Sequence, residues 1–213
     1  SKIITNYNSV IVFDKNVELA ILNSSNLVVT GTSLIDEHSR KQVLKMMSHA
    51  TKNDCKVWLD LDYRHWNWPD EGATRSAYQK AEKLSDVIVG NEEEFKILND
   101  DLNIQVKECI SKNKIMILKK GENGCTLFSG NCTLKTGIYK SKIMKPYGSG
   151  DAFLGNLIMN YMASGDWEKA AEAGSAAAAI VVSKKGCASA MPSNKEIKSL
   201  QDSTSIQPKT EWS

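Results

Sequence analysis

The stretch KPYGSGDAFLGNLIMNYM, residues 145–162, begins with a glycine-rich turn and continues as an apolar pattern. Its apolar side chains recur at the spacing of an α-helix, which predicts a helix over residues 148–164 with one buried face. The residues of that face are Phe153, Leu154, Leu157, Ile158, Tyr161 and Met162. We therefore expect a helix that begins close to the protein core, at two glycines and an acid.

Gly148, Ser149 and Gly150 form the predicted start of this helix. The first N–H groups of a helix have no partner within the helix, and the helix dipole favours an anion at that end. Glycine lets the backbone approach a ligand, because no Cβ atom stands in the way. The turn is therefore a candidate site for a phosphate group.

Asp151 follows this turn, and its carboxylate would repel an anion bound there. A carboxylate at this place is useful if it accepts a proton from a hydroxyl that attacks a phosphoryl group. The alternative is that Asp151 only complements the positive end of the helix dipole. The spacing of the residues leaves both interpretations open.

Strand and helix patterns alternate along most of the remaining chain. This alternation predicts a doubly wound α/β fold, a mainly parallel sheet with helices on both faces. We expect one domain over residues 1–200 and a loose tail over residues 201–213. The predicted strands are residues 26–31, 56–62, 86–90 and 114–118, with added hairpin strands at 125–128 and 137–143; the predicted helices are residues 36–53, 71–84, 148–164 and about 166–184, with one more opening at Asn91.

Ligands of such folds bind beyond the carboxyl ends of the strands, so the segments that follow the strands should meet at one edge. One such segment is GNEEEF, where Asn91 and Glu94 have the spacing of a helix capping box. The alternative is that both side chains organise Mg²⁺ and its water molecules near phosphates, because Mg²⁺ favours oxygen ligands and keeps water.

A second segment, DLDYRHWNW, places Asp60, Asp62 and Arg64 among aromatic side chains at the end of a predicted strand. Polar groups among aromatic rings suit a polyol or a sugar acid. A charged turn with aromatic anchors is the alternative. The spacing of the two acids would also suit a metal, although no third ligand is in view.

Two further segments could either contact a nucleotide or have a purely structural role. Lys119, Lys120 and Gly121 follow a predicted strand and either cover a nucleotide or form a solvated turn before a hairpin. The helix that contains AAEAGSAAAAIVV is rich in small residues, which either allow close helix packing or offer a flat wall to an adenine ring.

The composition narrows the class of protein. The net charge of +2 argues neither for nor against an anionic ligand, and the lack of a basic run interleaved with aromatics argues against nucleic acid as the main partner. The five cysteines are scattered, which argues against a zinc site or a disulfide framework, and we expect Cys187 to be buried and inert. No apolar run is long enough to span a bilayer, so we expect a cytoplasmic protein without a membrane partner. The oligomeric state stays open, a homo-oligomer included.

These motifs, taken together, resemble the ribokinase-like (PfkB) carbohydrate kinase family. YGSGDAFLG is similar to the C-terminal signature of that family, and NEEEF matches its Asn-x-x-Glu motif. MILKKGENGCTLF resembles the strand–loop–strand that lies over ATP in the family. The order of the motifs also matches, and the resemblance covers about residues 20–200.

The resemblance implies an enzyme that uses ATP and Mg²⁺ to phosphorylate a hydroxyl of a sugar or sugar acid. It implies that Asp151 is the base that takes the hydroxyl proton. It also implies that the N–H groups of Gly148, Ser149 and Gly150 hold the transferring phosphoryl group.

The resemblance also assigns the other candidate residues. Asn91 and Glu94 would act through Mg²⁺ and phosphate, with Glu94 bound to the metal through water. The remaining assignments are Lys119, Gly121 and Gly124 along the nucleotide, Ala177 and its neighbours against the adenine, and Asp60 and Arg64 towards the sugar or bracing that edge.

The chain departs from the family in two places. The N-terminal portion of the family, with most sugar contacts and the lid, has no counterpart here, which favours as an alternative a catalytically incomplete nucleotide-binding fragment or remnant. The usual Asp-Thr-Thr before the signature is Lys145, Pro146 and Tyr147. The family's acid helps to bind a monovalent cation, so we expect the Lys145 ammonium to replace that ion, or else to be an exposed lysine at a strand end.

Overall fold

The computed structural model describes residues 11–145 and 147–213. Helices and strands alternate through it, so the predicted α/β class is confirmed. The sequence predicts one domain over residues 1–200, but the chain divides into two compact units, with the boundary between Leu118 and Lys119. The start of that predicted domain, residues 1–10, and Pro146 lie outside the described residues.

The first unit is built on parallel strands connected through helices. Its elements are, in chain order, α1 (Lys15–Leu22), β1 (Asn26–Thr30), α2 (Glu37–Lys52), β2 (Lys56–Asp60), α3 (Glu71–Lys83), β3 (Val87–Asn91), α4 (Glu92–Leu98), α5 (Leu102–Ser111) and β4 (Ile115–Lys119). β1 pairs in parallel with β2, and β2 with β3. β4 comes next in the strand order. A parallel pair needs a long crossover connection, which α2 and α3 supply here.

The central strands of this unit are fully buried, and β1 is not. Val57 to Leu59 in β2 and Val87 to Val89 in β3 have no exposed surface, as expected for β-branched and apolar runs covered on both faces. In β1, by contrast, Val28 is 45% exposed. β1 stands first in the order of the described strands, at the edge of the sheet that they form.

Aspartates begin most helices of the first unit. The carboxylates of Asp14, Asp36, Asp70 and Asp101 each accept a hydrogen bond from a backbone N–H in the first turn of the helix that follows. Such caps satisfy N–H groups that lack a partner within the helix. The sequence prediction missed α1 and α5, although Asp14 and Asp101 are the signals that could have revealed them.

The second unit combines an antiparallel hairpin with three helices in its described residues. Its elements are β5 (Cys125–Ser129), β6 (Cys132–Thr136), α6 (Ser149–Ser164), α7 (Trp167–Val182), α8 (Asn194–Ser203) and β7 (Glu211–Trp212). The strand predicted at residues 137–143 is wrong: β6 ends at Thr136. The chain reverses earlier than expected, because Gly130 and Asn131 form a two-residue turn that sets Ser129 opposite Cys132.

α6 and α7 pack closely against each other. Gly174 of α7 lies so near α6 that a Cβ atom there would stand 2.8 Å from the Phe153 carbonyl oxygen. The predicted buried face of α6 is confirmed for Phe153, Leu154, Leu157 and Ile158. It is wrong at its end, because Met162 is 56% exposed.

The end of the chain is ordered, which corrects the predicted loose tail over residues 201–213. α8 continues to Ser203, and the side chain of Ile206 is buried. The backbone of Gln207 exchanges two hydrogen bonds with Ile138, each of 2.9 Å. β7 then pairs antiparallel with β6. Backbone hydrogen bonds of this kind cannot be inferred from a polar composition.

None of the helices described by the structure is both long and apolar enough to cross a bilayer.

Candidate functional site

A cavity of about 300 Å³ opens in the second unit. Its wall consists of the end of β4, the loop to β5, the segment after β6, the start of α6 and one face of α7. The residues of the wall are mostly apolar or glycine, with Lys119 and Glu122 as the charged members. An apolar cavity with a few polar groups at one side suits a small molecule that has both an aromatic and a charged part.

The glycine-rich turn forms one side of this cavity. Gly148 is the N-cap residue of α6 and has a φ of +83°, in the left-handed region. A Cβ atom on Gly148 would stand 2.8 Å from Sγ of Cys187, and the left-handed φ disfavours any residue other than glycine. Ser149 and Gly150 follow it into the helix and line the cavity. The predicted helix start is therefore open to a ligand.

The ammonium of Lys119 lies beside the same turn. A Cβ atom on Gly150 would stand 3.8 Å from Nζ of Lys119, which is also part of the cavity wall. Lys119 ends β4, so the strand carries the positive charge to this place. A lysine ammonium and a helix N-terminus both attract negative charge, and here they do so side by side.

Asp151 occupies the first turn of α6 and is exposed. Its neighbour Ala152 is 2% exposed and begins the buried face of the helix. The carboxylate therefore stands at the solvent side of the helix start, while the glycine turn faces the cavity. The prediction that Asp151 is a base stays a prediction.

The loop between β4 and β5 holds two of the predicted nucleotide-binding glycines. Gly121 and Gly124 have φ values of +58° and +77°, and both line the cavity. A Cβ atom on Gly124 would collide with the Thr136 carbonyl oxygen, which explains why glycine occupies this position.

The sequence prediction missed one wall of the cavity. Gly137, Ile138 and Tyr139 follow β6 and line the cavity, as do Ser141 and Ile143. The alternation in GIYKSKI is typical of a strand, and that pattern hid the role of the segment. A signal for it was the turn at residues 130–131, which ends the hairpin at residue 136.

The structure corrects the position assigned to Ala177. Ala177 is fully buried in the core between α7 and its neighbours, away from the cavity wall. The residues of α7 that line the cavity are Ser175, Ala178, Ala179 and Val182. Ser175 also fixes the opposite wall, because its hydroxyl donates a 2.8 Å hydrogen bond to the Gly137 carbonyl oxygen. The predicted flat wall of small residues is present one helix position further on.

Lys145 contacts the backbone just before the glycine turn. Its Nζ donates a hydrogen bond of 3.1 Å to the carbonyl oxygen of Tyr147. Lys145 is partly buried, and the backbone N–H groups of Met144 and Lys145 both point to the Val182 carbonyl oxygen, at 2.7 and 3.3 Å. The replacement of a monovalent cation by Lys145 and its alternative, an exposed lysine at a strand end, both stay predictions.

The cysteines differ in their surroundings. Cys187 was expected to be buried, but it is exposed and lies behind Gly148. Cys125 lines the cavity with little exposed surface, and burial raises the pKa of its thiol to about 12. A thiol with so high a pKa stays protonated and unreactive at neutral pH.

Asn91 and Glu94, in the first unit, form a complete capping box. The Asn91 side chain accepts from the Glu94 N–H at 2.8 Å, and the Glu94 carboxylate accepts from the Asn91 N–H at 2.7 Å. The other oxygen of Glu94 accepts from the N–H of Tyr63 at 3.2 Å. The capping box predicted for this motif is therefore formed, and the role of Asn91 and Glu94 in binding Mg²⁺ stays a prediction.

The polar residues at and after the end of β2 include one ion pair. Asp60 is 3% exposed at the end of the strand. Arg64 forms a salt bridge of 2.6 Å with Asp62, whose φ of +34° marks a tight turn. Trp68 is buried, but Trp66 is 61% exposed. The two roles predicted for Asp60 and Arg64, contact with the sugar or bracing of this edge, stay predictions.

The described residues contain no group of three or more histidine, cysteine, aspartate or glutamate side chains placed to hold a metal ion. The pair of acids at Asp60 and Asp62 therefore has no third protein ligand within that part of the chain.

Comparison with known sequences gives a family and close relatives. Residues 3–194 match the model of the pfkB family carbohydrate kinases. The chain is 37% identical over 181 residues to 5-dehydro-2-deoxygluconokinase of Photobacterium profundum, covering 81% of this chain and 55% of that protein. It is 35% identical over 191 residues to 5-dehydro-2-deoxygluconokinase 2 of Bacillus cereus, covering 85% and 58%. The chain thus spans little more than half the length of these relatives.

Comparison with solved structures gives the same fold. Fructokinase with bound ATP from Xylella fastidiosa superposes with a TM-score of 0.81 at 18% sequence identity, covering 87% of this chain and 64% of the fructokinase. At this level of identity the similarity concerns the fold, which is that of the ribokinase-like proteins.

Proposed function

The chain belongs to the pfkB family of carbohydrate kinases, and from that premise we propose that it phosphorylates a hydroxyl group of a sugar or sugar acid with ATP. The observation that carries the proposal lies within the second unit. An apolar cavity ends at a glycine turn on a helix N-terminus, and the ammonium of Lys119 stands beside that turn. This is the pattern expected for an aromatic base in the cavity and a phosphate chain at its polar side.

The phosphoryl group would bind at the start of α6. The N–H groups of Gly148, Ser149 and Gly150 supply donors, and Lys119 supplies a full positive charge. Phosphoryl transfer spreads charge over the equatorial oxygens, so fixed donors and cations at this place stabilise the transition state. The base and ribose would lie along Gly121, Gly124 and the face of α7 that carries Ala178 and Ala179.

Asp151 would act as the general base. The hydroxyl oxygen of the sugar attacks the γ-phosphorus, the bond to the β,γ-bridging oxygen breaks, and ADP leaves. The hydroxyl proton passes to the Asp151 carboxylate, whose exposed position leaves room for a substrate. This role accounts for an acid that would otherwise oppose the anion site next to it.

Mg²⁺ is the metal that such a reaction needs, and Glu94 is the residue we assign to it. When bound, Mg²⁺ neutralises charge on the phosphates. The Glu94 carboxylate accepts hydrogen bonds from the backbone N–H groups of Tyr63 and Asn91, and these contacts fix its orientation. We assign it to the metal through water, because Mg²⁺ keeps several of its water molecules when it binds to proteins.

We propose 5-dehydro-2-deoxygluconate as the substrate, because both relatives described above carry the name of its kinase. The matched segments, with 35–37% identity, cover little more than half the length of those proteins. Asp60 and Arg64 would brace the edge that follows β2.

The test is the substitution Asp151→Asn in the full-length protein. It keeps the shape of the side chain and removes its basicity, so turnover of the sugar acid should fall by about 10²-fold or more. Binding of ATP, measured by titration calorimetry, should persist. Asp202→Asn, at an exposed position of α8, is the matched control and should keep full turnover. Near-normal turnover of Asp151→Asn would contradict the assignment of the base.

A second candidate is nucleotide binding without phosphoryl transfer by these 213 residues alone. The exposure of Asp151 and the coverage of 55% of the first relative favour it. Water that reaches the bound phosphate competes with the sugar hydroxyl. Saturable phosphorylation of the sugar acid by the 213-residue chain would decide against this candidate, and ATP binding without turnover would decide for it.

A further inference from the structure

The turn before α6 is held in place by contacts from two sides. On one side, Gly148 packs against the thiol of Cys187 and against Val181, at the end of α7. On the other side, Nζ of Lys145 donates to the carbonyl oxygen of Tyr147, the residue directly before Gly148. The backbone of Lys145 is itself tied to α7, because its N–H group and that of Met144 both point to Val182.

The contact to Tyr147 fixes more than a carbonyl group. A trans peptide is planar, so its C=O and N–H bonds point in opposite directions. When the Tyr147 carbonyl points to Lys145, the N–H of Gly148 is directed away from Lys145. This N–H belongs to the turn that would receive the phosphoryl group. The orientation matters because Gly148 adopts a φ of +83°, and glycine can reach many other conformations at small cost.

We propose that Lys145 is a positioning residue whose ammonium serves as a built-in cation for the phosphate-binding turn. The inference rests on the proposed function, because it assigns a purpose to the turn. A hydrogen bond from a charged donor is shorter and stronger than a neutral one, and a lysine stem of four carbons is long enough to reach two residues along the chain. The turn then needs no dissolved cation to hold the Tyr147 carbonyl.

The test compares Lys145→Met with Lys142→Met in the 213-residue chain. Each variant loses one positive charge, and Lys142 is an exposed residue of the same segment, so general electrostatic attraction for ATP changes equally in both. Binding of ATP and of adenosine is measured by titration calorimetry for each. Loss of a charged hydrogen bond that orders the turn should weaken ATP binding by roughly tenfold or more in Lys145→Met. Adenosine lacks phosphate, so its affinity should not change.

Rescue by a small cation separates positioning from general stability. Ammonium chloride should restore ATP binding to Lys145→Met, because an ammonium ion can occupy the lost position and donate to Tyr147. Tetramethylammonium chloride at the same ionic strength has no N–H group and should not restore it. The parent chain should bind ATP equally in both salts.

The possible results point in distinct directions. If the parent chain does not bind ATP, the proposed function fails, and the inference fails with it. If the parent binds ATP but Lys145→Met matches Lys142→Met, the proposed function stands and the positioning role is overturned. An equal loss of ATP and adenosine affinity in Lys145→Met would also overturn it, because that pattern indicates a distorted cavity. A parent that requires ammonium for ATP binding would refute the built-in cation.

Discussion

At the scale of single residues, Cys187 is exposed, although the sequence analysis expected it to be buried. Its sequence neighbours offer no activating group, which suggested a buried and inert thiol. The structure exposes the side chain and sets it behind Gly148, within the segment 184–187 that follows α7. Cysteine is buried more often than most residues, so its type alone favours the wrong answer. The residue therefore offers an experimental probe of the phosphate turn.

We predict that two of the five thiols react quickly with a disulfide reagent at about pH 8, because they are exposed to the reagent. Cys132 and Cys187 are exposed, and Cys55, Cys109 and Cys125 are buried. Burial raises the pKa of all three buried thiols, to about 11 for Cys109 and about 12 for Cys125. They stay protonated until the pH approaches those values, and the thiolate is the reactive form. A colorimetric reagent counts the thiols that react in the folded protein. The control variant Cys132→Ser should show one reactive thiol. A third thiol that reacts before the protein unfolds would contradict the prediction.

At the scale of elements, the pair of α6 and α7 decides the shape of the cavity. α7 carries small residues on both of its faces, towards α6 and towards the cavity. Gly174 allows close approach to Phe153, and Ala178 and Ala179 keep the cavity open. The composition of AAEAGSAAAAIVV allowed close helix packing or an adenine wall as alternatives, and the two faces of the helix leave room for both.

We predict opposite effects for two glycine-to-alanine substitutions in these helices. At Gly155, in α6, a Cβ atom would meet nothing within 4 Å, so Gly155→Ala should raise the free energy of unfolding by about 0.5–1 kcal/mol. At Gly174 the same atom would stand 2.8 Å from the Phe153 oxygen. Overpacking there should lower the free energy of unfolding by about 1–3 kcal/mol. Urea denaturation of both variants measures the difference, and equal stabilisation would show that the helices can move apart.

The sequence predicted most elements of the fold, and the errors have physical causes. Apolar runs with strong β propensity revealed β2 and β3, because burial on both faces demands them. β6 was placed too late, since the turn at Gly130 was overlooked and the alternation in residues 137–143 is typical of a strand. α8 was missed although Ser193 and Glu196 form a capping box at its start. A ten-residue helix with one buried side chain has too weak an apolar pattern to stand out.

The sequence singled out glycines of the candidate site where the backbone determines the residue type. Gly124 and Gly148 both have positive φ angles, and at Gly124 a Cβ atom would also collide with backbone atoms. Such constraints leave a sequence motif. The wall at Ile138 and Tyr139 is marked only indirectly, by the turn at residues 130–131 that ends the hairpin, because Ile138 is held by hydrogen bonds to Gln207, far away along the chain. The sequence did not reveal the helical phase of α7, so Ala177 was named with its neighbours, of which Ala178 and Ala179 line the cavity and Ala177 does not.

At the scale of the whole molecule, the last residues of the chain complete the second unit. Ile206 is buried in the cluster that contains Tyr139, Ala177 and Ile197. Gln207 holds the backbone of Ile138, and the backbones of Ser213 and Thr133 exchange hydrogen bonds of 2.8 Å. The segment that lines the cavity after β6 is therefore supported from behind by the chain end. The segment predicted as a loose tail therefore supports the cavity wall, and its removal should weaken the binding of a ligand in the cavity.

The last prediction compares two truncations. Removal of residues 211–213 deletes β7, whose side chains are exposed, and should leave ATP binding nearly unchanged. Removal of residues 205–213 also deletes Ile206 and Gln207, which frees the backbone of Ile138 and opens the core. The longer truncation should weaken ATP binding and lower the free energy of unfolding by about 2–5 kcal/mol, the usual effect of losing a buried isoleucine. Ile206→Ala keeps the backbone contact, so it should lose stability while the folded fraction keeps its ATP affinity. If the longer truncation bound ATP as the full chain does, the chain end would have no part in holding the cavity wall.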